Sequence, residues 1–286
     1  MPELPETETI ARDLDGALRG AVVSSVHVTR PDVLRAVTAA ALGKRLAGTV
    51  VCSVSRRAKS IVIALARDDA ENISIDSSMV AVPERLVVTP RFTGALLLDG
   101  MPDDAYTCIR IVLTDGRVLR YHDVRRLGTV ALFDAPAFDA WSAALGPEPL
   151  DPELTDLRFS GIIRGSSRAV KSILMDQRRL AGVGNIYANE ALWRAGIRPS
   201  RSGRTITLAR CAALLASLRA VFTESIALRG TTFRDFRDAY GERGGFADKL
   251  QAYGRAGLPC TRCGTTLKGS HAIDGRQTVW CTSCQS

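Results

Sequence analysis

The chain of 286 residues is 46% hydrophobic and 24% charged, a composition typical of an ordinary globular protein with one large domain or two. It contains no run of about 18 apolar residues, which argues against a membrane span. Its first residues are acidic and proline-bearing, which argues against a secretory signal and for an intracellular protein. The net charge of +8 is compatible with a polyanionic partner but does not require one.

The first 135 residues are predicted to form one helix followed by a β-sandwich or barrel. Ile10, Leu14 and Leu18 recur at a four-residue spacing, which predicts a helix over about residues 5–18. Seven short β-type segments follow, and many short strands separated by turns are typical of a two-layered or closed β architecture. Residues 67–90 carry no strand pattern that can be assigned.

A change of composition then predicts a second, helical half. The stretch Leu145–Leu154 contains three prolines and one glycine, which is typical of a linker. Beyond it, helical patterns dominate in four segments, at about residues 154–164, 168–176, 186–195 and 208–228. From about Gln251 the chain is predicted to form short strands around a group of cysteines.

Two C-x2-C pairs near the carboxy terminus predict a metal site. Cys260 and Cys263 form the first pair, and Cys281 and Cys284 form the second after 17 intervening residues. Four thiolates on two short turns suit the closed tetrahedral coordination of a structural zinc ion. Two disulfides or four unrelated thiols are the alternative, which a reducing cytoplasm disfavours.

A glycine-containing turn precedes one of the predicted helices. Gly182 and Gly184 stand immediately before the helix, and Asn185 begins it. Such a turn can bring backbone N–H groups and an asparagine side chain to a phosphate. It can equally be a packing contact between two helices, and the turn alone does not decide between these interpretations.

Six motifs occur in order along the chain. They are the amino-terminal MPELPETE, RRAK at 56–59, LRYHDVRRLG at 119–128, LGPEPL at 145–150, GVGNIYANE at 182–190, and the cysteine region ending in RQTVWCTSC. In this combination the chain closely resembles the bacterial formamidopyrimidine-DNA glycosylase family, a relative of the endonuclease VIII enzymes. The resemblance runs nearly end to end and is weakest at 67–90.

The resemblance implies an α+β fold with an amino-terminal β-sandwich and flanking helix, a helix–two-turn–helix domain and a carboxy-terminal four-cysteine zinc ribbon. It implies a catalytic domain at 2–135, a linker at 145–154, a helical domain at 155–240 and a zinc-finger domain at 248–286. It further implies a monomeric enzyme of the bacterial cytoplasm, associated with the nucleoid, that acts on damaged double-stranded DNA and has no membrane partner.

The resemblance also assigns catalytic roles. Pro2, which becomes the terminus once Met1 is removed, matches the family's nucleophile, and an α-amino group has an unprotonated fraction near neutral pH. Glu3 matches a carboxylate that acts as general acid/base on the sugar ring oxygen. Glu6 belongs to the same pattern, and Lys59 matches a lysine near the lesion and its phosphate.

Three further residues match positions that bind the DNA backbone. Asn185 and Arg276 correspond to a pair that grips neighbouring phosphates, which would help to evert the damaged nucleotide. Lys171 matches a basic helix position expected to face the DNA.

The space left by an everted base is filled in this family by a side-chain wedge and an arginine. Arg125 matches the arginine, and Leu127 stands where an aromatic residue is usual. The third member is typically a methionine, and Phe92 is the best match to it, although the surrounding motif is altered. We therefore expect a wedge that fills the same space but is built from partly different side chains.

The stretch Thr231–Gly254 has the length of the loop that closes over an everted purine, and its glycines are consistent with a lid. The resemblance to the family, including this loop, therefore implies a bifunctional glycosylase and abasic-site lyase for oxidised purines. A glycosylase for oxidised pyrimidines, like endonuclease VIII, and a non-catalytic protein that binds damaged DNA are the alternatives.

Overall fold

The computed structural model describes residues 2–67, 84–99 and 104–286. Most of the segment at 67–90, to which the sequence assigns no strands, therefore lies outside the described residues. The chain divides into two compact units, Met1–Ala143 with Arg229–Gly245 and Ala144–Leu228 with Phe246–Ser286. Within the described ranges, no helix is both long and apolar enough to cross a lipid bilayer.

The described part of the first unit contains three α-helices and nine strands. The helices are α1 (Leu4–Leu18), α2 (Ala39–Leu46) and α3 (Ala135–Ala143). The strands are β1 (Val23–Val28), β2 (Leu34–Arg35), β3 (Thr49–Arg57), β4 (Ser60–Arg67), β5 (Glu84–Thr89), β6 (Gly94–Leu98), β7 (Thr107–Leu113), β8 (Val118–Asp123) and β9 (Thr129–Phe133).

These strands form two sheets that share one hydrophobic core. One sheet has the order β2-β9-β5-β4-β3 and the other the order β1-β7-β8-β6. Apolar side chains of both sheets meet in a single buried cluster, to which α1 contributes Ile10, Leu14 and Leu18. Burial of this apolar surface is the main force that holds the layers together. The predicted β-sandwich with a flanking helix is confirmed.

The start of α1 is fixed by its own first residues. Pro5 occupies the first turn, where a missing N–H group costs nothing. Glu3 and Glu6 cap the helix reciprocally, each side chain accepting a hydrogen bond from the backbone of the other residue. Further along, Asp15 Oδ1 accepts a hydrogen bond from Val54 N at 2.7 Å, which attaches α1 to β3.

The described part of the second unit contains four α-helices and a small hairpin, namely α4 (Asp156–Arg164), α5 (Val170–Met175), α6 (Asn185–Arg194), α7 (Leu208–Ala227), β10 (Lys268–Ser270) and β11 (Thr278–Trp280). Each of the four helices predicted from the sequence overlaps one of these. The proline-rich stretch at 145–154 is ordered against α7, because Arg219 donates hydrogen bonds to the carbonyls of Pro149, Asp151 and Leu154 at 2.8–2.9 Å.

The segment Arg229–Gly245 belongs to the first unit, although the sequence analysis includes residues up to 240 in the helical domain. Phe236 and Ala239 are buried in the core of the sandwich. Leu98 N, at the end of β6, donates a hydrogen bond to Ala239 O at 2.8 Å. The chain thus returns to the sandwich after α7, because this segment carries side chains that fill its core.

Candidate functional site

The amino terminus lies in a buried environment that contains two carboxylates. Pro2 is buried, and Glu3 and Glu6 are 1% and 0% exposed. Glu3 N donates a hydrogen bond to Glu6 Oε2 at 2.8 Å, and Thr7 Oγ1 donates one to Glu3 O at 2.8 Å. A buried carboxylate is stable only when it is well hydrogen-bonded, and these contacts fix the backbone next to Pro2.

The second carboxylate oxygen of Glu6 reaches a distant part of the chain. Thr231 N donates a hydrogen bond to Glu6 Oε1 at 2.8 Å. Gly230 lies directly against Glu6 with a φ of +86°, and a Cβ there would stand 3.0 Å from Glu6 Cγ. Glu6 therefore joins the amino terminus to the start of the segment Arg229–Gly245.

That segment is held at its base and exposed at its tip. Arg229 donates a hydrogen bond to Asp13 at 2.6 Å and pairs with the fully buried Asp238. Asp238 Oδ1 accepts hydrogen bonds from two backbone N–H groups within the segment. Phe233 and Tyr240 are 50% and 55% exposed, so two aromatic rings are available on this surface.

Lys59 is half-buried at the turn of the β3–β4 hairpin. Arg56 and Arg57, which precede it in the chain, attach the hairpin to α1 and to α3. Arg56 donates a hydrogen bond to Glu8 on α1 at 2.7 Å. Arg57 donates hydrogen bonds to the hydroxyl and the carbonyl of Ser142 on α3, both at 2.9 Å.

Phe92, Arg125 and Leu127 come together on two neighbouring loops of the first unit. Phe92 lies between β5 and β6, and the other two lie between β8 and β9. The Arg125 guanidinium stands 5.2 Å from the centroid of the Phe92 ring, within cation–π distance. Phe92 and Leu127 are 43% and 39% exposed, so two large apolar side chains are available on these loops.

In the second unit, Asn185 is the first residue of α6 and follows a tightly braced turn. Gly182 has a φ of +81°, a backbone conformation that favours glycine. Gly182 N donates a hydrogen bond to Gln177 Oε1 at 2.9 Å, and Gln177 Nε2 donates one to Val183 O at 2.8 Å. The start of the helix is therefore held in one conformation.

Arg276 is exposed at the turn of the β10–β11 hairpin. The residues after it are tied to α6, because Asn189 Oδ1 accepts a hydrogen bond from Val279 N at 2.8 Å. Asn189 Nδ2 donates to Asn185 O at 2.6 Å, and its contact with Gln277 O is longer, at 3.4 Å. One buried asparagine thus links the two elements that carry Asn185 and Arg276.

Lys171 does not face solvent, which corrects the expectation that its side chain faces the DNA. It is 0% exposed. Its ammonium donates hydrogen bonds to Gln277 O at 2.9 Å and to Thr278 Oγ1 at 2.7 Å. A buried ammonium needs such acceptors, and the hairpin next to Arg276 supplies them. Lys171 supports the hairpin from within.

The four cysteines of the ribbon form one cluster. The sulfur atoms of Cys260, Cys263, Cys281 and Cys284 all lie within 4.8 Å of one another. Sulfur ligands at the usual zinc distance stand about 3.8 Å apart around a tetrahedral ion. The donor set and its spacing therefore fit a single metal ion.

The ribbon is attached to α6 by a buried carboxylate. Glu190 is 0% exposed and accepts hydrogen bonds from the backbone N–H groups of Gln251, Ala252 and Tyr253 at 2.8–2.9 Å. Trp193 packs with Leu267 and Val279 in the small core of the ribbon. Motif reading did not single out Glu190 or Asn189 for these roles, although both stand in the quoted segment GVGNIYANE.

Comparison with known proteins agrees with this geometry. Residues 1–130 match the sequence profile described as the formamidopyrimidine-DNA glycosylase N-terminal domain. Residues 145–237 match the profile described as the formamidopyrimidine-DNA glycosylase H2TH domain. Relatives named formamidopyrimidine-DNA glycosylase include one from Syntrophotalea carbinolica, 39% identical with 100% of both chains covered. Another, from Thermomicrobium roseum, is 36% identical and covers 100% of this chain and 99% of its own.

Solved structures of similar fold include complexes of the Lactococcus lactis enzyme. Its complex with DNA containing an abasic site is 28% identical, with a TM-score of 0.87 and 99% of both chains covered. A complex with DNA containing N7-benzyl-Fapy-dG is 28% identical, with a TM-score of 0.87 and 100% coverage of both chains. A complex with DNA containing an oxidised pyrimidine has 28% identity, a TM-score of 0.86 and the same coverage.

Proposed function

Because this chain belongs to the formamidopyrimidine-DNA glycosylase family of DNA-repair enzymes, we propose that it removes oxidised purines from duplex DNA and then cleaves the abasic site. The observation that carries the proposal is the burial of Glu3 and Glu6, joined by reciprocal hydrogen bonds, next to Pro2. Excision through a covalent intermediate needs an amine nucleophile and a proton donor side by side. The first residues of this chain supply both groups.

In the proposed reaction, the Pro2 nitrogen attacks C1′ of the damaged nucleotide after Met1 has been removed. The N-glycosidic bond breaks, and the base leaves with the bonding electron pair and takes up a proton. Glu3 protonates the ring oxygen as the sugar opens, which gives an iminium ion between Pro2 and C1′. Loss of a C2′ proton then expels the 3′ phosphate, a second elimination expels the 5′ phosphate, and hydrolysis frees Pro2.

The segment Arg229–Gly245 supports a purine substrate. It begins at the hydrogen bond between Glu6 and Thr231, and it presents the exposed ring of Phe233. An aromatic ring on such a segment can stack on an everted base. Fapy-dG, an oxidised purine, is the DNA lesion in one complex of a mutant of the similar Lactococcus lactis enzyme. We therefore assign 8-oxoguanine and formamidopyrimidines as the preferred lesions.

The remaining side chains would bind the duplex. Asn185 and the exposed Arg276 are assigned to backbone phosphates, and Phe92, Arg125 and Leu127 to the space left by the everted nucleotide. Compared with the pattern usual in the family, the aromatic residue stands at 92 instead of 127. We assign the cysteine cluster to one zinc ion, which supplies folding energy to the ribbon and takes no part in the reaction.

Borohydride reduction tests the proposed nucleophile. The full-length protein is mixed with a duplex that contains 8-oxoguanine, borohydride is added, and the adduct is digested and located by mass spectrometry. We expect a covalent adduct on Pro2 with the wild type and with Lys59→Ala, and a much weaker one with Glu3→Gln. An adduct on Lys59, or none with the wild type, contradicts the proposal.

A panel of lesions separates the purine assignment from its alternatives. Faster excision of an oxidised pyrimidine than of 8-oxoguanine would favour an activity like that of endonuclease VIII. Binding of damaged DNA without excision of any lesion would favour a non-catalytic role. The complete set of Pro2, Glu3 and Lys59 argues against the latter.

A further inference from the structure

Asp123 is a fully buried carboxylate at the end of β8, and none of the roles assigned above uses it. Its Oδ1 atom accepts hydrogen bonds from Thr93 Oγ1 at 2.6 Å and from Arg125 N at 3.2 Å. Its Oδ2 atom accepts hydrogen bonds from Gly128 N at 2.8 Å and from Tyr121 Oη at 3.1 Å. Four donors thus converge on a single buried side chain.

The candidate wedge consists of Phe92, Arg125 and Leu127. Each of these residues either donates a hydrogen bond to Asp123 or is adjacent in the chain to a residue that does. Thr93 follows Phe92, Arg125 is bonded through its own N–H, and Gly128 follows Leu127. Arg125 N also lies 3.0 Å from Thr93 Oγ1, so the two loops contact each other next to the carboxylate. Hydrogen bonds to an ionised acceptor are about twice as strong as neutral ones, so this arrangement holds both loops firmly.

The packing around Asp123 reinforces its hydrogen bonds. A Cβ on Gly128 would stand 1.9 Å from Tyr121 Oη and 2.7 Å from Thr89 O, so only glycine fits. Burial, and after it the charge of Asp123, raises the pKa of Tyr121. The Tyr121 hydroxyl therefore stays protonated and donates its hydrogen bond throughout the physiological pH range. The loop from β8 to β9 is thus fixed sterically and electrostatically.

We propose that Asp123 is the positioning residue for nucleotide eversion: it fixes the two loops so that Phe92, Arg125 and Leu127 enter the duplex as one preformed wedge. This inference rests on the proposed function, in which those side chains replace the everted nucleotide. Preorganisation matters because ordering the loops during binding would use free energy needed to unstack the base. Asp123 acts only through the loops and touches no reacting atom.

Asp123→Asn disrupts the hydrogen bonds that fix the two loops, with little change in the shape of the side chain. The amide oxygen can accept on one side only, and the amide NH2 then faces Arg125 N–H or Gly128 N–H, neither of which can reverse its role. Thr93→Val removes the hydrogen bond from Thr93 Oγ1 to Asp123 and the one that Oγ1 accepts from Arg125 N, but it keeps the buried carboxylate and its other donors. Asp115→Asn is the matched control, because it makes the same charge change in the turn at the opposite end of β8.

Two substrates separate eversion from chemistry. A duplex with paired 8-oxoguanine requires the wedge, whereas a single strand with a preformed abasic site requires only the amine and the acid. For Asp123→Asn we expect single-turnover excision from the duplex to fall about tenfold or more, and single-strand cleavage to stay within about twofold. Thr93→Val should show a smaller loss in the same direction, and Asp115→Asn should match the wild type.

A 2-aminopurine placed beside the lesion reports eversion directly. Its fluorescence rise on mixing should be slower or smaller with Asp123→Asn, whether or not excision follows. The proposal would be overturned if Asp123→Asn lost activity equally on both substrates at an unchanged melting temperature. It would also be overturned if Asp123→Asn excised 8-oxoguanine from the duplex at the wild-type rate. If Asp123→Asn fails to fold, wild-type behaviour of Thr93→Val overturns it equally. A wild type inactive on both substrates contradicts the proposed function, while the fluorescence comparison still tests Asp123.

Discussion

At the scale of single residues, Glu8 shows how a charge on α1 helps to hold the hairpin that carries Lys59. Its carboxylate accepts hydrogen bonds from Arg56 and Arg12, both at 2.7 Å. The Arg56 side chain is 8% exposed and that of Glu8 is 19% exposed, so solvent screens this pair weakly. Burial acts to raise the pKa of Glu8, but the attraction and hydrogen bonds of Arg56, and then of Arg12, outweigh it and lower that pKa.

This lowered pKa predicts a pH-dependent contribution to stability. The stabilisation is complete above the ordinary pKa of 4.5 and is lost as the pH falls through the lowered value, because the folded state must then take up a proton. Glu8→Gln should therefore reduce the free energy of unfolding by about 1–2 kcal/mol at neutral pH. The difference in the free energy of unfolding between Glu8→Gln and the wild type should become smaller below about pH 4.

Urea unfolding of both proteins at neutral and acidic pH measures this effect. Arg12→Gln is the control, since the Arg12 side chain is 65% exposed and its pair with Glu8 should contribute less than about 0.5 kcal/mol. A difference between Glu8→Gln and the wild type that persists unchanged into acid would show that the charge of Glu8 contributes nothing.

The sequence allows a candidate role to be assigned only to residues that stand in a recognisable motif. The ordered motifs single out Pro2, Glu3 and Lys59, because those types at those positions are rare in combination. Asp123 and Asn189 also stand in these motifs, but the sequence does not show that Asp123 bonds to Thr93 or that Asn189 bonds to Val279, because these contacts join segments 30 and 90 positions apart. Lys171 was misjudged for the same reason, since its acceptors lie more than 100 positions away.

At the scale of elements, the hairpin β10–β11 depends on α5 and α6 for its orientation. Lys171 on α5 and Asn189 on α6 both bond to the strand that follows Arg276. Of the two basic residues, Arg276 is exposed and Lys171 is fully buried, so substitutions at these positions should affect DNA binding differently.

The salt dependence of binding distinguishes those two roles. Arg276→Ala should weaken binding to damaged and undamaged duplex alike, and the slope of log K against log salt should fall by about one unit. Lys171→Met should leave that slope unchanged, because its ammonium contacts no solvent, even where misplacement of the hairpin lowers affinity. Fluorescence anisotropy over a series of salt concentrations gives both slopes. An unchanged slope for Arg276→Ala, or a reduced one for Lys171→Met, contradicts the assignment.

Elements with strong periodicity were predicted well, and short or weakly patterned ones were missed. Each predicted helix overlaps an observed one, and the longest two, α1 and α7, bury apolar residues at helical spacing along several turns. Helix α2 buries only Leu42 and Leu46, and α3 has no buried residue, so neither produces a clear periodic signal. Strand β5 lies within the stretch 67–90, where polar residues and a proline near each end of the strand obscure its pattern.

At the scale of the whole molecule, the second unit contains two structural parts joined through α6. The helices pack around their own apolar residues, whereas the ribbon has a core of only a few side chains around its cysteines. So small a core cannot hold a fold alone, and the metal is expected to supply the remaining stability.

Zinc removal should therefore unfold the ribbon selectively. Chelation should shift the fluorescence of Trp193 and Trp280 towards that of solvent-exposed tryptophan and weaken duplex binding, while the β-type circular dichroism of the first unit persists. By elemental analysis we expect one zinc ion per chain in the wild type and in the control Cys52→Ser, and much less in Cys284→Ser. Full duplex binding without metal would contradict a folding role for zinc.

The domain boundaries that the resemblance implies differ from the compact units at α3, which belongs to the first unit although its domain was expected to end at 135, and at the segment Arg229–Gly245. The expected helical and zinc-finger domains form a single unit apart from that segment. The sequence of the segment looks like a glycine-containing connection between a helix and a ribbon. Only the three-dimensional contacts of Glu6, Asp13 and Leu98 reveal that it belongs to the sandwich.

This returning segment affects the order in which the protein can fold during synthesis. The ribosome completes the nine described strands of the first unit by Phe133, yet Phe236 and Ala239, which are 4% and 0% exposed, emerge about a hundred residues later. Until then the nascent sandwich has an unfilled core, and Glu6 lacks its bond to Thr231. The amino terminus is made first, but its surroundings are completed only after the helices of the second unit have been translated.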